Sequence, residues 1–201
     1  MYEEVAEGRG RGEPALRLAG LSGSLRCASF NSALLREAAM LAPPHAHFVL
    51  YGDLAELPHY NEDLRGEADP APVADMRAFF AAADAVVIAC PEYNRGMPGV
   101  LKNALDWLSR PPDPPLYGKC VLLIGTATGG MGGALAQYQV RQVLSAMGAI
   151  VQPGREVALP YAADHFTPEL RLRQESDRNF LREAIERFCA LCHTVRPLVS
   201  L

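Results

Sequence analysis

Three stretches of this 201-residue chain carry the residue types most able to do chemistry. The first is Gly23-Ser24-Leu25-Arg26-Cys27-Ala28-Ser29-Phe30-Asn31, which runs directly into a helical pattern. Its small residues let backbone N–H groups turn inward, and it adds hydroxyls, one guanidinium and a capping Asn. With the helix N-terminus, these make a phosphate site. The same residues also suit an ordinary polar turn with a Ser or Asn cap. Neither a Walker Gly-Lys-Ser/Thr nor the G-x-G-x-x-G dinucleotide spacing is present. The second stretch is Cys90-Pro91-Glu92-Tyr93-Asn94-Arg95-Gly96-Met97-Pro98-Gly99. Two prolines and two glycines in ten residues preshape a loop whose amides can lie along a flat ring, with Tyr93 and Met97 for apolar contact. A rigid turn that merely starts a helix at Pro98 fits as well. The third, Gly125-Thr126-Ala127-Thr128-Gly129-Gly130-Met131-Gly132-Gly133, has five glycines in nine residues. That is costly in chain entropy and implies close approach to a ligand or mobility.

Each stretch follows a short apolar run and precedes a helical pattern. Leu16 to Leu21 reads as a first strand, with a helix over Leu34 to Leu41. His47 to Tyr51 is a second strand, then a polar stretch from Gly52 to Pro72 leads to a helix near Val73 to Ala83. Ala85 to Ala89 is the most continuous apolar run and is expected to be a central strand buried on both faces. Its helix starts near Pro98, with Leu101, Ala104, Leu105 and Leu108 on one stripe. Cys120 to Ile124 gives a fourth strand, and Val140, Val143, Leu144 and Met147 the next helix. Ile150-Val151 with Val157 to Leu159 makes a fifth, shorter strand. The last helix presents Leu181, Ala184, Ile185, Phe188, Leu191, Cys192 and Val195 on one face. Strands alternating with helices imply a parallel sheet covered on both sides, and right-handed crossovers favour the doubly wound topology. In such sheets ligands bind beyond the carboxyl ends of the strands, where the three unusual loops fall.

The segments GSLRCASFN at 23–31, PEYNRGMPGVLKNALDW at 91–107, GGALAQYQVRQVL at 132–144 and LPHYNEDL at 57–64 resemble the NADPH-dependent FMN reductases, which include soluble quinone, chromate and azo-dye reductases. The resemblance runs from about 16 to 155 in matching order, and the 91–107 segment is the most specific. It implies a flavodoxin-like α/β fold with a five-stranded parallel sheet. It also implies an FMN phosphate held by Ser24, Arg26, Ser29 and Asn31, within the loop that holds Leu25, and with Phe30 close by. Pro91, Glu92, Tyr93, Asn94 and Arg95 would lie along the isoalloxazine, and the backbone of Thr126, Ala127, Thr128 and Gly129 at its other edge. The implied activity is hydride transfer from NADPH or NADH through flavin N5 to a quinone, chromate, azo compound or free flavin. No catalytic side chain is expected, because the cofactor carries the chemistry. Family members are homodimers or dimers of dimers, so a homodimer or homotetramer is expected. Leu135 departs from the Arg often found there. The alternative reading is an FMN-binding electron carrier that does not turn over NAD(P)H.

Other features are weighed and set aside. Cys189-Ala190-Leu191-Cys192-His193 matches a haem-attachment pattern, but Cys192 lies on the apolar stripe, and packing is the favoured reading. The five histidines lack metal-ligand spacing, so no metal site is expected. Gly20-Leu21-Ser22-Gly23 fails the nucleophile-elbow spacing. On the helix after the second loop, Asn103 is read as facing a neighbouring subunit and Trp107 as core or interface, and the helix with Tyr138 and Arg141 is a second candidate surface.

The composition bounds the rest. At 49% hydrophobic and 21% charged, the chain suits one globular domain over 16–201, after a leader over 1–15 expected to be disordered. The net charge of −4 and pI near 5.7 argue against nucleic acid or an anionic membrane surface. No apolar run approaches the roughly 18 residues of a membrane span. Five cysteines, odd in number and widely spread, read as reduced thiols in a cytoplasm.

Overall fold

The computed structural model describes residues 2–4, 15–52, 54–66 and 68–199. The strands are β1 (Tyr2–Glu4), β2 (Leu16–Ser22), β3 (Ala46–Tyr51), β4 (Ala85–Ala89), β5 (Cys120–Thr126), β6 (Ile150–Val151) and β7 (Val157–Leu159). They form one sheet in the order β1-β3-β2-β4-β5-β6, and β7 also pairs with β5. Apart from β1, which is antiparallel to β3, all pairs are parallel. The chain therefore moves from β2 outward to β3, then crosses back to β4 on the other side of β2. That reversal opens a crevice between the loops after β2 and β4, the flavodoxin-like arrangement.

The helices are α1 (Phe30–Met40), α2 (Ala71–Ala81), α3 (Gly99–Leu108), α4 (Ala134–Ala146), α5 (Ala162–His165) and α6 (Glu175–Val199). β4 is buried at all five positions, as an unbroken apolar strand between two helical layers must be. On one face, α1 and α6 cover Leu18, Phe48, Val87 and Ile124. On the other, α2, α3 and α4 cover Leu21, Val86, Ile88 and Leu123. No helix among the described residues is long and apolar enough to cross a membrane.

Three details differ from the sequence expectations. Tyr2–Glu4, inside the expected leader, pairs its backbone with Val49 to Tyr51, while Met1 and residues 5–14 lie outside the described residues. The fifth strand is two pieces: β6 pairs with the start of β5 and β7 with its end. Gly154 lies between them at φ +98°, a conformation glycine adopts without strain. Finally, α1 begins at Phe30, four residues before the expected Leu34, because Ser29 caps it: its side chain accepts the Ser32 N–H at 3.2 Å.

Candidate flavin site

The loops after β2, β4 and β5 meet around a cavity of about 180 Å³ at the carboxyl edge of the sheet. Ser24, Arg26, Ser29, Phe30 and Asn31 line it from the first loop, Pro91, Glu92 and Tyr93 from the second, and Thr126, Ala127 and Thr128 from the third. The structure thus brings eleven of the fifteen residues singled out in the sequence to one place. Leu25, Asn94, Arg95 and Gly129 are not among the residues lining it.

The first loop is a stack of short hydrogen bonds. The Ser24 N–H donates to Ser22 Oγ and the Arg26 N–H to Ser24 Oγ, each at 3.3 Å. Ser22 Oγ and Ser32 Oγ lie 2.8 Å apart, which pins the loop to the first turn of α1. The Ser29 oxygen accepts as the cap of α1, and its O–H is a donor beside the helix N-terminus. Arg26 brings the guanidinium to the same wall. Leu25 projects outward instead, 51% exposed.

Asn31 has a task the sequence did not disclose. Its side-chain Nδ2 donates to the Thr126 carbonyl at 2.9 Å, and its Oδ1 accepts the Thr126 N–H at 3.0 Å. Its amide is therefore engaged with backbone, whereas the family resemblance assigned it to phosphate. Thr126 turns its own hydroxyl to the Leu159 carbonyl at 2.8 Å.

Glu92 lines the cavity and has a second task. Its Oε2 accepts the Leu135 N–H at 3.1 Å and the Ala136 N–H at 3.3 Å, capping α4 from a distant loop. The helix needs this help because its own N-cap is Gly133, which has no side chain to offer. Leu135 takes part through its backbone. Burial, with the Glu92 charge second, pushes the neighbouring Cys90 thiol up to about 12, so Cys90 packs as a neutral group.

Asn94 and Arg95 form the tip of a two-residue turn. Tyr93 and Gly96 exchange both backbone hydrogen bonds at 3.0 Å, and the two residues between sit at φ +52° and +64°. That is a type I′ geometry, which suits Asn and strains Arg. Gln139 of α4 steadies the turn, accepting the Met97 N–H at 3.0 Å. Tyr93 stays 46% exposed on the cavity rim, and its hydroxyl lies 3.5 Å from Ser24 Oγ. Met97 packs into the core layer under α3 and α4.

The glycines of the third loop answer to packing as well as to space. At Gly125 a Cβ would stand 2.9 Å from the Cys90 carbonyl, so β4 and β5 approach too closely for a side chain. At Gly129 a Cβ would meet nothing within 4 Å, which leaves open ground above the loop. The sequence missed Ala162, which lines the cavity and donates its N–H to the Ala127 carbonyl at 3.0 Å. A lone alanine after a short strand carries no signal; only tertiary packing brings α5 there. Asn103, expected to face outward, turns inward, and Trp107 is core, one of the two places expected for it. Asn103 Nδ2 and Trp107 Nε1 both donate to the Pro58 carbonyl at 2.9 Å, and the Tyr60 N–H donates to Asn103 Oδ1 at 2.7 Å. They hold the 57–64 segment against α3.

Comparison with known proteins agrees with this geometry. The family model for NADPH-dependent FMN reductases matches residues 16–164. A NAD(P)H-dependent FMN reductase of Pseudomonas aeruginosa is 40% identical over 171 residues, covering 85% of this chain and 92% of that one. A quinone reductase of Escherichia coli K12 is 43% identical over 137 residues, 68% of this chain and 73% of the relative. Among solved structures, the flavoenzyme NAD(P)H:(acceptor) oxidoreductase FerB from Paracoccus denitrificans superposes with a TM-score of 0.82 at 32% identity, over 90% of this chain and 98% of that one.

Proposed function

The chain belongs to the NADPH-dependent FMN reductase family, and we propose that the cavity beneath its three loops is where it holds FMN. It is an FMN-dependent NAD(P)H oxidoreductase acting on small-molecule acceptors, the activity its relatives are named for. The observation that carries the site assignment is convergence. One guanidinium, two hydroxyls and a helix N-terminus share a wall with a flat, partly apolar loop at the topological switch point. The residues present fit FMN on two counts. Ser24, Arg26 and Ser29 at the start of α1 are a donor set suited to a phosphate monoester. The facing walls, Pro91 and Tyr93 on one loop and Ala127 and Thr128 on the other, suit a ring lying against backbone.

Bound FMN would supply the chemistry, taking a hydride from a reduced nicotinamide and passing it to the acceptor. The protein's residues do the remainder. Arg26 and the α1 terminus neutralise the phosphate and set how deep the cofactor sits. Tyr93 covers one side of the ring, and the 126–129 backbone borders its edge. Asn31 and Glu92 hold those loops in register instead of touching the reacting atoms. No side chain near the cavity is asked to give or take a proton.

We assign the acceptor to small quinone-like molecules, with either NADPH or NADH as donor, and place the reaction in the cytoplasm. A homodimer is the expected working form. Its support is the exposed apolar residues on the loops at the carboxyl edge of the sheet, Leu25, Tyr93, Met131 and Tyr161, and Tyr138 on α4. The test is steady-state oxidation of NADPH and of NADH by FMN-loaded protein, with benzoquinone, chromate and an azo dye as acceptors. Turnover that rises with quinone concentration supports the reading. Bound flavin without nicotinamide oxidation supports a carrier instead.

A further inference from the structure

At the opposite edge of the sheet, about 20 Å from the flavin cavity along β5, lies a second cavity of about 230 Å³. Its walls include Leu16, Asp84, Lys119, Cys120, Cys192 and Val195. Cys120 is the first residue of β5, and Cys192 lies on the buried face of α6. Both belong to the core layer between the sheet and α6, and both line this cavity. The Cys192 thiol holds the Cys120 thiol below its ordinary value, against the opposing effect of burial. The Cys120 thiol and burial push Cys192 up, with the charges of Cys120, Cys189 and Asp84 adding to the effect. The other charged group on the wall, Lys119, turns its ammonium to the Phe80 and Ala81 carbonyls at 2.6 and 2.9 Å, at the end of α2. Nothing in the flavin chemistry uses these thiols.

Two thiols that share the wall of a cavity wider than a water molecule are the arrangement of an oxidisable dithiol. We propose that Cys120 and Cys192 form a peroxide-reactive pair, in which Cys120 is oxidised first and Cys192 resolves it to a disulfide. In the first step the Cys120 thiolate attacks one oxygen of hydrogen peroxide. The O–O bond breaks, hydroxide leaves, and Cys120 becomes a sulfenic acid, oxidised by two electrons. In the second, the Cys192 sulfur attacks the Cys120 sulfur; the S–O bond breaks and the hydroxyl leaves as water with the Cys192 proton. The product ties the start of β5 to α6 and leaves the carboxyl-edge loops untouched. Reduction by a dithiol reagent returns both thiols.

The experiment uses the full-length, FMN-loaded protein and hydrogen peroxide itself, followed by alkylation of the remaining thiols and peptide mapping. The expected result is loss of two hydrogens and a cross-link between the peptides carrying Cys120 and Cys192, reversed by dithiothreitol. In Cys192→Ser, dimedone should label Cys120; in Cys120→Ser, neither the cross-link nor a label on Cys192 should form. Flavin content and NADPH oxidation should be unchanged by either substitution. Peroxide that consumes Cys27 while Cys120 and Cys192 stay alkylatable overturns the proposal, as does a cross-link to Cys189. The wild-type map decides the matter even if a variant fails to fold.

Discussion

The Asn31 side chain and the Thr126 backbone are joined in both directions, by an N–H···O bond at 2.9 Å and its return at 3.0 Å. This extends the pairing at the end of β5 with a side chain from the start of α1, and both groups are buried. Two loops far apart in sequence are thereby fixed at one spacing across the cavity, which a cofactor gripped by both requires.

Asn31→Ala should therefore lower folding stability by about 2–5 kcal/mol, because it leaves a buried N–H and C=O without partners. Urea unfolding of apo-protein checks this without involving flavin. Unchanged stability with a large loss of FMN affinity would put Asn31 on the ligand instead.

Arg26→Ala and Ser29→Ala should separate affinity from stability. Arg26→Ala should weaken FMN binding by ~1.5–3 kcal/mol, the scale of a bond to a charged group, and leave unfolding of the apo-protein unchanged. Ser29→Ala should cost less affinity but also about 1 kcal/mol of stability, since it removes the cap of α1. Equal FMN affinity in Arg26→Ala and wild type would remove Arg26 from the phosphate site.

Arg95→Gly should raise the melting temperature of the apo-protein. Arg95 is exposed at φ +64°, where an L side chain costs roughly 1–2 kcal/mol and glycine does not. A lower melting temperature would mean that its side chain makes contacts outweighing that strain.

The sequence made the sheet legible because each strand is an apolar run and each helix a 3.6-residue stripe, and these patterns answer to burial alone. The three loops were legible through their odd composition. The work of Asn31 and Glu92 was not, since each serves a backbone more than 40 residues away and any polar residue there would read alike. Trp107 was legible as core or interface, but its partner was not: the 57–64 segment folds over it and its indole N–H finds Pro58.

Light scattering over a dilution series, run beside NADPH oxidation, should show a dimer or larger at concentrations where the enzyme is active, in keeping with the exposed apolar rim. A fully active monomer would dispose of the interface while sparing the flavin site.

The most direct test is an equilibrium titration of FMN with apo-protein, followed by flavin fluorescence and repeated with Arg26→Ala. The flavin site described above predicts saturation at one FMN per chain with a clear change in emission, and a binding curve shifted to higher concentration by roughly ten- to a hundredfold in the variant. No change in emission with wild-type protein, or superimposable curves for the two proteins, would contradict it.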